Sequence, residues 1–176
     1  MEKVNRVILF CDIHKFARLA LALEDRMPSF VQAFYEIVGD AVAVNGGRLL
    51  KYMGDSVLAV FPEERTAAAV ASALRMRKEF ARLARESGTG VDSDLGIAIG
   101  RGPVIHGIFG HSSLRTEDVF GETVNETAML LQARGVVLSR EAREAAGDQF
   151  PLEKLPDVIL KWRPEPLEAW RVIEAG

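Results

Sequence analysis

The run Val4–Cys11 (VNRVILFC) is apolar and ends in β-branched and aromatic residues, which predicts a strand that stops at Asp12. Between Phe16 and Val44 the apolar residues return at helical spacing: Leu19, Leu23, Phe30, Phe34, Ile37, Val38 and Ala41. Asp25 and Pro28 interrupt this pattern, so a short helix, a break and a longer helix are expected, the last ending before Asn45-Gly46-Gly47. Arg48–Met53 and Ser56–Phe61 are strand-like runs separated only by Gly54-Asp55, the signature of a hairpin with a two-residue loop. Pro62–Arg85 carries Val70, Leu74, Phe80 and Leu83 on one face of an amphipathic helix. After a turn at 87–90 come two strands, Val91–Gly100 and Val104–Gly110, joined through Arg101-Gly102-Pro103. His111–Glu117 reads as a polar loop, Gly121–Arg134 as a helix, and the remainder as short strands with a helix around Ser139–Ala146. The order is an α+β one: a ferredoxin-like βαββαβ palm with additional C-terminal strands and helices.

No internal repeat, low-complexity tract or linker divides the chain, and 176 residues suit one domain, so residues 1–176 are read as a single unit. Lys and Arg total 22 against 25 Asp and Glu, a net charge of −3 that lacks the basic excess of a nucleic-acid binder. Cys11 stands alone, which excludes an internal disulfide and a cysteine zinc site and leaves a buried, inert thiol. No stretch has the ~18 apolar residues of a membrane span, and the N-terminus lacks a secretory pattern, so a cytoplasmic location is expected.

The chemistry concentrates on two carboxylates. Asp12 closes the first strand and Asp55 sits at the hairpin tip; in a βαββ arrangement these strands are neighbours, and the two side chains converge. Paired hard oxygen ligands on rigid strands suit Mg²⁺, and two such ions can activate an attacking oxygen and neutralise a leaving phosphate. Aspartate is also common in turns for local hydrogen bonding, and spacing alone leaves both readings open. His14, His106 and His111 have no ligand spacing, and Ser112, Ser113 and Ser139 no accompanying base. Trp162 and Trp170 read as packing residues.

Four segments, in order, narrow the choice. Phe10-Cys11-Asp12-Ile13-His14-Lys15-Phe16 resembles the first signature of class III nucleotide cyclases, and Lys51-Tyr52-Met53-Gly54-Asp55 resembles their second metal hairpin. Gly96–Val104 (GIAIGRGPV) is similar to the family's glycine-isoleucine to glycine-proline-valine strand pair, and Asp118–Asn125 (DVFGETVN) to its base- and sugar-reading segment. The resemblance spans roughly residues 5–173, and four motifs in family order are far more specific than any one alone.

This resemblance implies an adenylate cyclase that converts ATP to 3′,5′-cyclic AMP and pyrophosphate at sites shared between two protomers of a homodimer. Asp12 and Asp55, assisted by the Ile13 carbonyl, would hold two Mg²⁺ or Mn²⁺ ions. Lys51 and Asp118 of the other protomer would read the purine, a donor and an acceptor that complement adenine's N1 and N6 and oppose guanine's pattern. Asn125 would orient the ribose, Lys161 would contact the terminal phosphates with Arg163 close enough to compete, and Phe16 belongs to the substrate-binding turn. A regulatory domain or partner is expected beyond the catalytic module.

Two departures weigh against full activity. Four residues after Asn125, where the family places a transition-state arginine, stands Met129, and a thioether cannot stabilise charge on transferred phosphate. In the first motif the usual glycine is Lys15 and the usual threonine Ala17; a side chain there obstructs the phosphates or lends them charge. The alternatives are an inactive nucleotide-binding or dimerisation module, and one subunit of a heterodimeric cyclase. A diguanylate cyclase is set aside because the hairpin tip reads Met53-Gly54-Asp55-Ser56.

Overall fold

A computed structural model describes residues 1–174. Its strands are β1 (Glu2–Ile13), β2 (Arg48–Met53), β3 (Ser56–Pro62), β4 (Leu95–His111), β5 (Leu114–Phe120), β6 (Val136–Ser139), β7 (Leu152–Lys154) and β8 (Ala169–Val172). Its helices are α1 (Phe16–Leu23), α2 (Met27–Val44), α3 (Thr66–Glu86), α4 (Glu122–Leu130) and α5 (Arg140–Ala146). One sheet runs β2-β3-β1-β4-β6-β8-β7, with β5 branching from β4. The segment β2-β3-β1-β4 is antiparallel throughout, the strand order of a ferredoxin-like palm.

Alternation along the strands divides the core. Val7, Leu9, Cys11 and Ile13 of β1 join Val57, Ala59 and Phe61 of β3 beneath Phe34, Val38, Ala73 and Phe80 from α2 and α3. The opposite face carries Ile8, Leu58 and Val60, and β5 and α4 cover part of it through Val119 and Val124. Asp12 shares the parity of Ile8 and therefore belongs to this second face. Burial pushes the Cys11 thiol up, as expected of an inert cysteine.

The helix break falls where Asp25 and Pro28 predicted it: a 3₁₀ turn over Glu24–Arg26 separates α1 from α2, and Pro28 occupies the first turn of α2 where no N–H is required. Four expectations need correction. First, Val91–Gly100 and Val104–Gly110 are one strand, β4, which begins only at Leu95 and continues through Arg101-Gly102-Pro103. Pro103 is tolerated because β4 pairs with β6 only over Ile97–Ile99 and with β5 only from Ile105 onward. On that side the backbone between them has no strand neighbour, and Pro103 pairs with Asn5 of β1 on the other. Second, His111–Glu117 is not a loop: a turn at Ser112-Ser113 leads directly into β5. Third, the helix expected to Arg134 ends at Leu130, and tight turns carry the chain on to β6. Fourth, β1 runs one residue past Asp12, to Ile13.

No helix is long and apolar enough to cross a membrane among the described residues.

Candidate active site

The two aspartates meet at the end of β1 and the tip of the β2–β3 hairpin. Asp12 lies opposite Ser56 and Gly96, and the Ile13 N–H donates to the Asp55 carbonyl at 3.0 Å. The hairpin closes through Gly54 at φ 70°, the left-handed conformation that a Gly-first two-residue loop requires. The Asp12 carboxyl is raised above its ordinary value, chiefly by burial, then by the negative charge of Asp55, with His14 working in the opposite sense. Neither carboxylate has an ion-pair partner among the described residues. Gly96 leaves space beside Asp12, since a Cβ there would come 3.1 Å from its Oδ1. Two converging oxygen-donor side chains, mutually repelling and short of protein cations, fit a hard divalent cation. Among the described residues no third His, Cys, Asp or Glu joins them.

Tyr35, a residue the sequence gave no reason to single out, supports this tip from α2. Its hydroxyl donates to the Gly54 carbonyl at 2.7 Å, and its ring packs on Tyr52 with centroids 4.1 Å apart. Its phenol is raised by burial and by Asp55.

Lys51 and Asp118 lie far apart in sequence but form an ion pair, Nζ to Oδ2 at 2.6 Å. The Asp118 side chain is buried, and its Oδ1 accepts from the Val119 N–H at 2.8 Å, so both oxygens are fixed. A β-bulge brings Lys51 there. Arg48 is opposite Val60 and Leu49 opposite Ala59, but Leu50 is passed over and Lys51 is opposite Leu58. The extra residue turns Lys51 to the same face as Arg48, which a regular strand would forbid at a spacing of three.

Beside this pair is a second one that sequence reasoning missed. Arg48 Nε meets Glu117 Oε2 at 2.7 Å, Glu117 Oε1 meets His106 Nε2 at 2.8 Å, and Arg6 Nε donates to His106 Nδ1 at 3.3 Å. The guanidinium can only donate, so Nδ1 accepts and Nε2 carries the proton offered to Glu117. A signal was present in the sequence: Arg48 and Lys51 break the alternation of β2.

Asn125 is exposed on α4, and Met129, one turn later, packs half-buried against Ala98, Leu130, Val137 and Leu160. α4 approaches β4 closely because Gly100 has no side chain; a Cβ there would lie 1.9 Å from Thr127 Oγ1. Lys161 is exposed in the segment after Leu160, and Arg163 is not free to replace it, because its guanidinium pairs with Glu126 at 3.1 Å. That pair ties the segment bearing Lys161 to the helix bearing Asn125. Burial raises the Glu126 carboxyl, and Arg163 partly offsets the effect. Phe16 opens α1 and packs on the helix-side core. Trp162 is exposed rather than packed, whereas Trp170 lies under Lys154.

Lys15 takes the left-handed conformation (φ 58°, ψ 30°), which explains why a glycine suits this place. Its ammonium pairs with Asp92 at 3.3 Å, and Ser93 donates to the His14 carbonyl at 2.8 Å, so the 91–94 segment clasps the turn that follows Asp12.

Residues 1–162 match the model of the adenylate and guanylate cyclase catalytic domain. An adenylate cyclase of Streptomyces coelicolor is 34% identical over 132 residues, covering 73% of this chain and 30% of that protein. An adenylate cyclase of Anabaena cylindrica is 31% identical over 125 residues, covering 67% of this chain and 25% of that protein. The chain therefore spans under a third of the length of these relatives. Among solved structures, the adenylyl cyclase CyaB from P. aeruginosa superposes with a TM-score of 0.88 at 21% identity, covering 100% of this chain and 98% of that one. The guanylyl cyclase Cya2 superposes at 0.86 with 22% identity, covering 99% and 94%. With its palm sheet, converging aspartates and ordered motifs, the chain belongs to the adenylate and guanylate cyclase catalytic domain family.

Proposed function

We propose that this domain is an adenylate cyclase, forming 3′,5′-cyclic AMP and pyrophosphate from ATP at sites shared between two copies of the chain. The observation that carries the choice of ATP is the Lys51–Asp118 pair at 2.6 Å. It presents a donor beside an acceptor, matching adenine's N1 acceptor and N6 donor, while guanine's N1–H and O6 leave both groups mismatched and unpaired. The named adenylate cyclase relatives agree with this reading.

In the reaction the ribose 3′-oxygen forms a bond to the α-phosphorus, its proton departs, and the bond to the bridging oxygen breaks to release pyrophosphate. Asp12 and Asp55, with the Ile13 carbonyl, would hold two Mg²⁺ or Mn²⁺ ions. Bound there, such ions supply positive charge to the phosphates and acidify the attacking hydroxyl. Asn125 orients the ribose, Lys161 meets the terminal phosphates, and the Phe16 turn encloses them. Support for a second copy comes from the β4–β5 arm, which exposes Ile108, Leu114 and Phe120, and from Met53 at the end of β2. Apolar surface gathered this way suits a two-fold interface, which builds two equivalent sites.

Met129 favours a second reading, a nucleotide-binding module that turns over slowly or only beside a partner carrying the missing arginine. The deciding experiment is a cyclase assay on purified protein, ATP against GTP, with Mn²⁺ and with Mg²⁺, alongside Asp55→Ala. Cyclic AMP that vanishes in the variant supports the enzyme. Metal-dependent ATP binding without product sinks the homodimeric enzyme and leaves the module or the heterodimer, which mixing with an arginine-bearing cyclase domain separates.

A further inference from the structure

We infer that the Arg48–Glu117–His106 array is a specificity-positioning device: it sets the spacing at which Lys51 and Asp118 meet the purine. The inference rests on the base-reading role given above to that pair.

The need for such a device follows from topology. β2 is the edge of the sheet and hydrogen-bonds only to β3, while β5 hydrogen-bonds only to β4. No backbone ladder therefore joins the strand that carries the donor to the strand that carries the acceptor. Leu50 and Val119 contribute apolar packing between them, but such contact has no direction and tolerates sliding. Discrimination between adenine and guanine depends on direction, because each hydrogen bond must find its own atom on the base edge.

Side chains supply the missing tie. Glu117 precedes Asp118 on β5, and Arg48 lies three residues before Lys51 on β2, turned to the same face by the bulge at Leu50. Their contact at 2.7 Å is a second strut beside the first. Glu117 is in turn held at 2.8 Å by His106, its diagonal neighbour on β4, and the His106 ring is fixed by Arg6 from β1 at 3.3 Å. Both Glu117 oxygens are thus engaged, by cation and imidazole, and neither is free to contact a base. The array borders an open groove of about 520 Å³.

The test uses equilibrium binding of ATP and GTP to the intact protein with Mn²⁺, which requires no turnover, and reads the ratio of the two dissociation constants. Glu117→Ala and His106→Ala are expected to reduce the preference for ATP about fivefold or more, a change of about 1 kcal/mol. His106→Gln, which can still donate to Glu117, is expected to recover most of it. A purely structural defect weakens both nucleotides alike and leaves the ratio in place. Should an alanine variant melt early, Arg48→Gln serves instead, since the Arg48 side chain is 71% exposed. Asp118→Asn is the control for the underlying reading. If it changes the ratio while the Glu117, His106 and Arg48 variants leave it within twofold, this inference fails alone. If wild type binds neither nucleotide, or Asp118→Asn changes nothing, the base-reading role fails and the inference with it.

Discussion

Met129→Arg is the substitution with the largest expected gain. Residues 125 and 129 are one helical turn apart on α4, so an arginine at 129 projects from the face that carries Asn125. The change has a cost. Met129 packs half-buried among Leu130, Val137 and Leu160, and full burial of a methionine is worth about 1.5–3 kcal/mol. Roughly half of that is at stake, and the methylene stem of arginine recovers part by lying along the same apolar surface. The loss of stability is therefore on the order of 1 kcal/mol, small against the ~5–15 kcal/mol of an ordinary domain. A preorganised donor aimed at developing phosphate charge contributes about 2.7–4 kcal/mol to the barrier, or 10²–10³ in turnover. The catalytic term wins. Initial rates of cyclic AMP formation at saturating ATP and Mn²⁺ should rise about a hundredfold, mainly in kcat, because the interaction exists only in the transition state. The Asp55→Ala/Met129→Arg double variant should abolish the gain, which excludes a contaminating cyclase. A folded, ATP-binding Met129→Arg protein whose rate rises less than about tenfold would refute the reasoning.

Other perturbations probe the same elements. Asp12→Asn should stabilise the metal-free protein at pH 7 by about 0.2–1 kcal/mol, the scale of like charges on adjacent strands. It should also remove any rise in Tm on adding Mn²⁺; an unchanged Mn²⁺ effect would mean the ion binds elsewhere. The same carboxyl, raised in the folded state by burial and Asp55, binds its proton more tightly there than in the unfolded chain. Metal-free stability should therefore fall as pH rises from about 3.8 through the raised folded value, and Asp12→Asn should lose that part of the slope in denaturant titrations. Tyr35→Phe deletes one hydrogen bond to Gly54, about 0.5–1.5 kcal/mol, and should weaken Mn²⁺ binding, read by electron paramagnetic resonance, up to roughly tenfold; equal affinity would detach α2 from the metal tip. Gly100→Ala forces α4 away from β4 and should cost about 1–3 kcal/mol in urea unfolding, with partial relief in the Gly100→Ala/Thr127→Ala pair; strict additivity would show that the two residues do not clash.

Much of the palm could be read from the chain because its signals are local. Gly54-Asp55 between two short apolar runs announces the hairpin, and the 3.6-residue recurrence from Phe30 to Ala41 announces α2. Asp12 and Asp55 stand out by their places at a strand end and a hairpin tip, Lys51 and Asp118 through motifs, and the structure brings the first two together and the last two into contact. What escaped was set by distant neighbours. Gly102-Pro103 looks like a turn until β6 and β5 are seen to leave that stretch of β4 without a partner on one side. β5 looked like a loop because Leu114–Thr116 are exposed and lack apolar alternation. Arg163 looked available for phosphate until Glu126 was found beside it. His106 failed every test of metal spacing, and its partners Arg6 and Glu117 are 100 residues before and 11 after it in sequence.

The irregularity at Leu50 has a further meaning for anyone who would transplant this site. A strand offers two sides and assigns them by odd and even count, so residue identity alone does not determine where a side chain arrives. Deleting Leu50 would preserve the letters Lys-Tyr-Met-Gly-Asp and move Asp55 little, since the tip is held from Ile13 and Tyr35. Arg48 would stay opposite Val60, now two residues before Lys51 and still on its face, so the bulge is what lets a spacing of three do the work of two. A chimera that kept Arg48 three residues before Lys51 in a host strand without the bulge would inherit the metal aspartate while sending the arginine to the other face. The side on which Arg48 meets Glu117 is thus set by residue count and bulge together, and not by the letters alone.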